Sequence, residues 1–384
     1  MSQKILTWHR KIFDNISRQY AEQRLPHAIL LSQRMSENAF FLAKSLAQLF
    51  QCSNPQLNNE GYLEACDLCS SCKKVKEFTH LDVHYFFPII KRKNKTCSDD
   101  YFQEWIEYLR SYRGIIDLNS WIRFIDSANS QAIISAEDCD KIVNIAQDSS
   151  YEGKYKIFII WEMERLFHAA APKLLKIIEE PPAKTLFVGI TDHLEQVLST
   201  IRSRMQIIQI PTPTPEESLE ILNDFFDIEK DEAKRLVFTY GNNLPRIVDN
   251  IHTDKMPIAI SDFFIKWMRL SFQLKAHELL DLAIEFNSLG RDIQKITLSQ
   301  CLNYLDAIWL INHNIPTQLI LNELDEKFVH DFKKFIDDDT IADFACYVDE
   351  AIKNIERNAD SKIVFFDLSF KIGQTFKQKY MMMR

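Results

Sequence analysis

The chain has little glycine, seven residues in 384. Glycine supplies the backbone freedom that a loop needs to wrap closely around a phosphate, so the shortage limits where such loops can sit. Long apolar runs are missing as well. No stretch approaches the ~20 residues that cross a bilayer, and residues 1–20 lack the apolar centre of a secretory signal. Nor is there an excess of positive charge. With 46 basic against 54 acidic side chains, the formal net charge is −8, which excludes a surface attractive to nucleic acid all over and leaves only local basic patches. The expectation is a cytoplasmic protein without membrane contacts, whose eight cysteines are reduced thiols. At 46% hydrophobic and 26% charged residues, the composition is that of an ordinary globular chain, long enough for two or three domains.

What is present is organised around residues 155–206. Lys156-Ile157-Phe158-Ile159-Ile160-Trp161 is a short apolar run rich in β-formers, the pattern of a strand buried on both faces of a parallel sheet. Ala171, Leu174, Leu175 and Ile178 come next at helical spacing, with Pro172 tolerable in the first turn. Glu179-Glu180-Pro181-Pro182 stops that helix, because paired prolines cannot donate and push the preceding residue out of the α region. Thr185 to Ile190 is the next buried strand, completing a β-α-β crossover, and Ser199 to Gln206 closes the unit with a basic turn. These residues, "YKIFIIWEMERLFHAAAPKLLKIIEEPPAKTLFVGIT…LSTIRSRMQ", resemble the clamp-loader branch of the AAA+ family, in particular its delta-prime type of subunit. The likeness is clear from about Leu25 to Arg246 and faint beyond.

The resemblance directs attention to the first strand, turn and helix, where nucleotide-binding AAA+ proteins carry their phosphate loop. Residues 26–32 lead into a buried strand, and Glu37 to Phe50 reads as an amphipathic helix. Between them stand Ser32, Gln33, Arg34, Met35, Ser36, Glu37, Asn38 and Ala39. This turn has no glycine and no Lys followed by Ser or Thr, and its Glu would repel a triphosphate. It reads as a degenerate phosphate loop, a surface turn, although the helix N-terminus retains some attraction for anions. The family's metal-binding Asp falls at Trp161, so Glu162 and Glu164 are expected to be helix-start charges. Thr191 falls at the polar sensor position, with a backbone partner expected for its hydroxyl. Arg246 falls where active relatives contact nucleotide. No ATP is expected in this subunit.

Cys52, Cys66, Cys69 and Cys72 have the spacing C-x13-C-x2-C-x2-C, which brings four thiolates from one short excursion. Tetrahedral zinc takes four sulfurs, and a closed shell leaves no position for a catalytic water, so the metal would be structural. Four reduced structural thiols are the alternative. In the family the matching excursion is a zinc module. His80-Leu81-Asp82-Val83-His84 comes directly after it, with either His a conceivable spare ligand. Residues 86–120 are longer than the family implies. Their basic run Lys91-Arg92-Lys93-Asn94-Lys95 reads as a solvated loop tip, and Tyr101, Phe102, Trp105, Tyr108 and Tyr112 read as a packing face. Ser135 is expected to cap a helix with Asp138 three residues on.

Ser203-Arg204 falls on the family's Ser-Arg-Cys motif, with Met205 in the third place. The resemblance implies that Arg204 reaches the ATP site of a neighbouring subunit, as an arginine finger in trans beside Ser203. A salt bridge within the chain is the alternative. The residues 211–215, Pro-Thr-Pro-Thr-Pro, make a stiff linker. The expected fold is α/β plus all-α. A degenerate AAA+ parallel-sheet domain would span 1–210 with the zinc excursion at 52–72, a helical lid 211–257, and a helical collar 258–384. Residues 317–339 match no pattern. The resemblance implies a non-hydrolysing clamp-loader subunit in a hetero-pentamer with an ATPase subunit and a delta-type subunit. Primed DNA would be met through the complex, and the sliding clamp weakly or indirectly. An active AAA+ motor and a zinc-dependent nucleic-acid-binding module are the rival readings.

Overall fold

The computed structural model describes residues 6–34, 38–126, 131–253, 260–315 and 323–382. The chain divides into two compact units, Met1–Glu217 with Asn243–Asp249, and Ser218–Asn242 with Asn250–Arg384. Residues 211–257 are thus shared between them.

In the first unit, α1 (Arg10–Ala21) buries Phe13 and Ile16. Strand β1 (Ala28–Ser32) leads to α2 (Ala39–Gln51), and a hairpin of β2 (Gln56–Leu57) and β3 (Leu63–Glu64) precedes α3 (Ser70–Lys76). Strand β4 (Val83–Phe86) opens into the long excursion, which carries α4 (Phe102–Ser111) and α5 (Leu118–Ile125). Then come α6 (Ala136–Gln147), β5 (Lys156–Ile160), α7 (Pro172–Glu179), β6 (Thr185–Thr191), α8 (Ser199–Arg202) and β7 (Gln206–Gln209). The sheet runs β4-β5-β6-β1-β7 with every neighbouring pair parallel, the α/β architecture expected of an AAA+ domain.

Burial explains which strands announce themselves. Every residue of β1, β5 and β6 is buried, so these strands are continuous apolar runs rather than alternating ones. Strand β7, Gln-Ile-Ile-Gln at the sheet edge, is mostly exposed, and sequence alone makes its first residue the end of a basic turn. Its register against β1, Ile29 beside Gln206 through Ser32 beside Gln209, makes it a strand. Gly189 lies at the middle of β6, where a Cβ would stand 2.5 Å from Met163 Sδ and 3.0 Å from Leu30 Cδ1.

The turns obey their local chemistry. Pro172 occupies the first turn of α7, where its missing N–H costs nothing, and the last helical bond is Glu180 N–H to Lys176 O before the two prolines. Ser135 and Asp138 form the expected reciprocal cap, Asp138 N–H to Ser135 Oγ at 3.1 Å and Ser135 N–H to Asp138 Oδ2 at 3.0 Å. Asp82 accepts the N–H groups of Tyr151, Glu152 and Gly153 at 2.7, 2.7 and 2.6 Å, which fixes the turn into β5. The His80–His84 stretch is therefore a structural clamp. The basic run is an exposed turn, with Arg92 paired to Asp126 and Lys95 to Glu104.

Among the described residues of the second unit the regular elements are all helices. Helices α9 (Pro215–Phe226) and α11 (Leu244–Thr253) are each divided between the two units, while α10 (Lys230–Tyr240), α12 (Ile260–Gln273), α13 (Ala276–Ser288) and α14 (Arg291–Asn312) lie in the second. The last three are α15 (Glu323–Phe332), α16 (Asp338–Glu356) and α17 (Ser361–Met382). Of the unmatched 317–339 stretch, 317–322 lie outside the described residues, and the remainder includes α15. Trp267, Phe286 and Phe365 centre the core, and Trp267 Nε1–H donates to Ser369 Oγ at 2.7 Å. Gly373 lets α17 approach α12 closely, since a Cβ there would stand 2.5 Å from the Ser271 carbonyl.

Candidate functional site

The turn between β1 and α2 is held by its own side chains. Gln33 is buried, and its side-chain carbonyl accepts the Ala39 N–H at 2.9 Å, one of the amides at the start of α2. Its Nε2–H donates to Asp192 Oδ1 at 2.5 Å, and its backbone N–H donates to Thr191 O at 2.9 Å. Ser32, Asn38 and Ala39 are buried too, so the flanks of this turn are not the solvated surface expected of it. Arg34 is exposed, while Met35, Ser36 and Glu37 lie outside the described residues. The helix N-terminus, expected to retain some attraction for anions, already has an acceptor on Ala39. Lys44, one turn further, donates to Lys76 O at 2.9 Å and sits 3.7 Å over the Phe78 ring. Burial brings its pKa down to about 7.

Aromatic carbon fills the neighbourhood. Trp161, in the position of the family's metal ligand, is buried with its ring centroid 5.0 Å from that of Trp105. Trp105 also stacks on Phe87 at 4.3 Å and meets Phe40, in the first turn of α2, edge-on at 5.6 Å. The helical spacing of the excursion aromatics does mark a packing face, and that face lies against α2 and the end of β5. Such rings gain from burial and from edge-to-face contact, so little drives this contact apart.

Glu162 and Glu164 correct the sequence reading. They do stand at a helix start, Glu162 as the N-cap and Glu164 inside the three-residue 3-10 turn Met163–Arg165, but both are buried, where charge is costly. Glu164 Oε1 accepts the N–H groups of Asp192 and His193, each at 3.1 Å. Glu162 has a left-handed backbone, φ 58°, and its side chain is 2% exposed. Burial first, then the charges of Asp192 and Glu164, push its pKa well above the usual carboxylate range, with Arg165 opposing and Asp117 adding. A raised folded-state pKa means the native protein holds a proton that the unfolded chain releases. Stability is therefore full below the unfolded value and falls as pH rises toward the folded one. Glu162→Gln is expected to flatten this decline. Thermal unfolding from pH 5 to 9 should show a higher midpoint for the variant at pH 8, by about 2–4 °C per kcal/mol recovered. Parallel curves would mean that Glu162 is ionised in the native state. Thr191, as expected, finds backbone, its Oγ1 accepting the His193 N–H at 3.2 Å.

The four cysteines do converge. The Sγ atoms of Cys52, Cys66, Cys69 and Cys72 all lie within 4.8 Å of one another, Cys52 and Cys66 at 3.5 Å and Cys66 and Cys72 at 4.0 Å. Sulfurs about 2.3 Å from one tetrahedral ion would stand about 3.8 Å apart, so the donor set fits a metal of zinc's kind. Backbone amides point at the sulfurs, from Cys66 to Cys52 Sγ at 3.3 Å, Cys69 to Cys66 Sγ and Cys72 to Cys69 Sγ both at 3.4 Å. The cluster hangs from the C-terminus of α2. Lys154 Nζ donates to Cys52 O at 2.8 Å, and Gln48 Nε2 to Asp67 Oδ1 at 2.7 Å. Burial and the neighbouring sulfurs raise Cys72, while for Cys69 the N–H groups of Cys72 and Ser53 outweigh burial and bring the thiol to about 6. His80 and His84 are not part of the cluster.

Arg204 comes just after α8, next to Ser203. Its Nε–H donates to Glu179 Oε2 at 2.7 Å and its Nη1 to Thr200 O at 2.8 Å, and the side chain is 31% exposed. Ser203 Oγ donates to Thr200 O at 3.1 Å. Met205, in place of the family's Cys, is buried in the core with Met163 and Ile201. Arg246 lies exposed in the first turn of α11. Among the described residues no helix is long and apolar enough to cross a membrane.

Sequence reasoning misses the pairing of Gln33 with Asp192 and the burial of Glu162, and although it weighs an ion pair within the chain for Arg204, it does not find Glu179 as the partner. Each depends on residues far apart in the chain, and none has a local signal.

Comparison with known proteins gives the family. The DNA polymerase III subunit delta' of Buchnera aphidicola subsp. Baizongia pistaciae is 25% identical over 310 residues, 81% of this chain and 74% of that protein. That of Bacillus subtilis is 26% identical over 259 residues, 67% of this chain and 63% of the relative. The DNA polymerase III subunit gamma/tau of Mycobacterium tuberculosis is 43% identical over 53 residues, 14% of this chain and 9% of that protein. The family described as "DNA polymerase III, delta subunit" matches residues 8–214, more than half of the chain, with the parallel sheet, the cysteine cluster and Arg204 inside the match. The chain belongs to that family.

Proposed function

We propose that this chain is a non-hydrolysing, delta-prime-type subunit of the DNA polymerase III clamp loader, helping to load the sliding clamp onto primed DNA. The observation that supports the reading is the missing phosphate-loop chemistry between β1 and α2, where residues 32–39 hold no glycine and no lysine, together with Gln33 bound to Ala39 N–H and Asp192 and the buried Trp161 packed on Trp105. Its own ATP site being closed, the subunit serves its neighbours. Arg204, with Ser203 beside it, acts in trans on the ATP of an adjacent ATPase subunit, where a delocalised cation stabilises the charge that develops on the transferring phosphoryl group. Cys52, Cys66, Cys69 and Cys72 hold one structural zinc ion. Residues 1–210 form the AAA+ domain, 211–257 the lid and 258–384 the collar that joins the ATPase and delta-type subunits in a hetero-pentamer. DNA is met through the complex and the clamp weakly or indirectly.

Two measurements test this. The purified chain should co-purify with the ATPase subunit of its own loader. Alone, it should show no heat of ATP binding at millimolar nucleotide and no turnover. Micromolar ATP binding by calorimetry would favour the autonomous motor instead.

A further inference from the structure

We propose that Glu179 is a positioning residue for Arg204, holding the guanidinium at Nε so that, with Nη1 on Thr200 O, Nη2 is left for an anion. This rests on the reading of Arg204 as acting in trans on a neighbour's ATP. Glu179 is the last residue of α7, and the prolines at 181 and 182 end the helix just beyond it. Its Oε2 accepts from Arg204 Nε at 2.7 Å, while Thr200 O, in α8, accepts from Nη1 at 2.8 Å. Ser203 Oγ stands a further 3.5 Å from Nη1. Two contacts from two different helices fix a planar group in both position and tilt. A guanidinium has five N–H donors in one plane. Nη2 meets no partner among the described residues, on a side chain that is 31% exposed.

The arrangement differs from a buried structural pair in a way that matters. A sequestered arginine is gripped through two nitrogens by one carboxylate, whereas Glu179 takes Nε alone. Arginine carries considerable rotamer freedom, and a free side chain loses it when it engages phosphate; an anchored one has lost it beforehand. The cost is the repulsion between Glu179 and an approaching phosphate. Glu179 is 55% exposed, so solvent screens that repulsion, while the anchoring acts directly on geometry.

The experiment measures ATP turnover in the reconstituted complex with the wild-type chain, Arg204→Ala, Glu179→Ala, Glu179→Gln and the double variant Glu179→Ala/Arg204→Ala. Glu179→Ala is expected to slow single-turnover hydrolysis at the site that depends on Arg204 about three- to ten-fold, with the ATP concentration for half-maximal rate nearly unchanged. Glu179→Gln keeps an acceptor for Nε and should retain most of the activity. The double variant should be no slower than Arg204→Ala alone, because a positioning residue has nothing to position once Arg204 is gone. Wild-type or faster turnover with Glu179→Ala, or an additive loss in the double variant, would overturn the proposal while leaving Arg204's role standing. Full activity with Arg204→Ala would remove both readings together.

Discussion

Cys69→Ser is expected to abolish the zinc binding proposed for the four-cysteine cluster and to loosen residues 52–76 while leaving the helical unit folded. The residue matters twice. Its sulfur is one of four that converge within 4.8 Å, and it is also the N-cap of α3, its Sγ accepting the Cys72 N–H at 3.4 Å. A serine hydroxyl can still cap the helix, so the substitution isolates the metal-binding part of the role. Hydroxyl is a far poorer zinc ligand than thiolate at neutral pH, and three sulfurs should bind at least ~100-fold more weakly than four. Structural zinc in small modules contributes about 10–16 kcal/mol of apparent binding free energy, and what else holds the segment is a few bonds from α1, α2 and the turn before β5, such as Ser17 Oγ to Leu63 O at 2.7 Å and Lys44 Nζ to Lys76 O at 2.9 Å. The β2–β3 hairpin is two residues per strand and largely exposed, and α3 has seven residues. The sheet should survive, since β1 and α2 are buried by the rest of the first unit. Metal analysis of protein purified without chelator, limited proteolysis across 52–76 and far-ultraviolet circular dichroism report these effects. Cys346→Ser, an exposed thiol outside the cluster, is the control. Zinc-free wild-type protein, or a full zinc complement in Cys69→Ser, would leave the cluster as reduced structural thiols.

How far the sequence reveals all this depends on the range of each interaction. The cysteine cluster is legible because its spacing lies within 21 residues of chain and metal geometry does the rest. The crossover through α7 is legible because Pro172 and the Pro181-Pro182 pair punctuate it, and because strands buried on both faces are written as solid apolar runs. Strand β7 is not legible, since an edge strand of four residues with glutamine at each end has no periodicity until β1 pairs with it. The excursion shows its aromatic face but not what the face covers, because Phe40, Trp105 and Trp161 are brought together only by the sheet. Glu162 is misread for a related reason. Sequence shows its charge but not its burial, and burial reverses what that charge does.

Arg204→Ala should leave this chain folded and assembled but slow ATP hydrolysis at one site of the complex by ~10³-fold or more, the loss seen when a trans-acting arginine is removed. The physical ground is local. As a γ-phosphoryl group leaves, charge gathers on oxygens that a fixed cation can meet, and in the proposed trans role a side chain already anchored at Nε and Nη1 would meet that charge with little reorganisation. Within its own chain Arg204 makes a half-exposed ion pair with Glu179, and such pairs contribute at most about 1 kcal/mol. Loss of folding is therefore not the reason turnover would fall. The thermal midpoint should stay within a few degrees of wild type. Arg204→Lys should rescue poorly, because an ammonium cannot hold Glu179 and Thr200 while still presenting a planar donor to phosphate. Turnover stimulated by DNA and clamp in the reconstituted complex is the decisive measurement, with sites averaged in the wild type. If only one of several ATPase sites depends on this arginine, total turnover falls less than the affected site does, and single-turnover hydrolysis separates the slow site from the rest. Full wild-type rates in both regimes would make Arg204 a surface ion-pair residue and this subunit a scaffold alone.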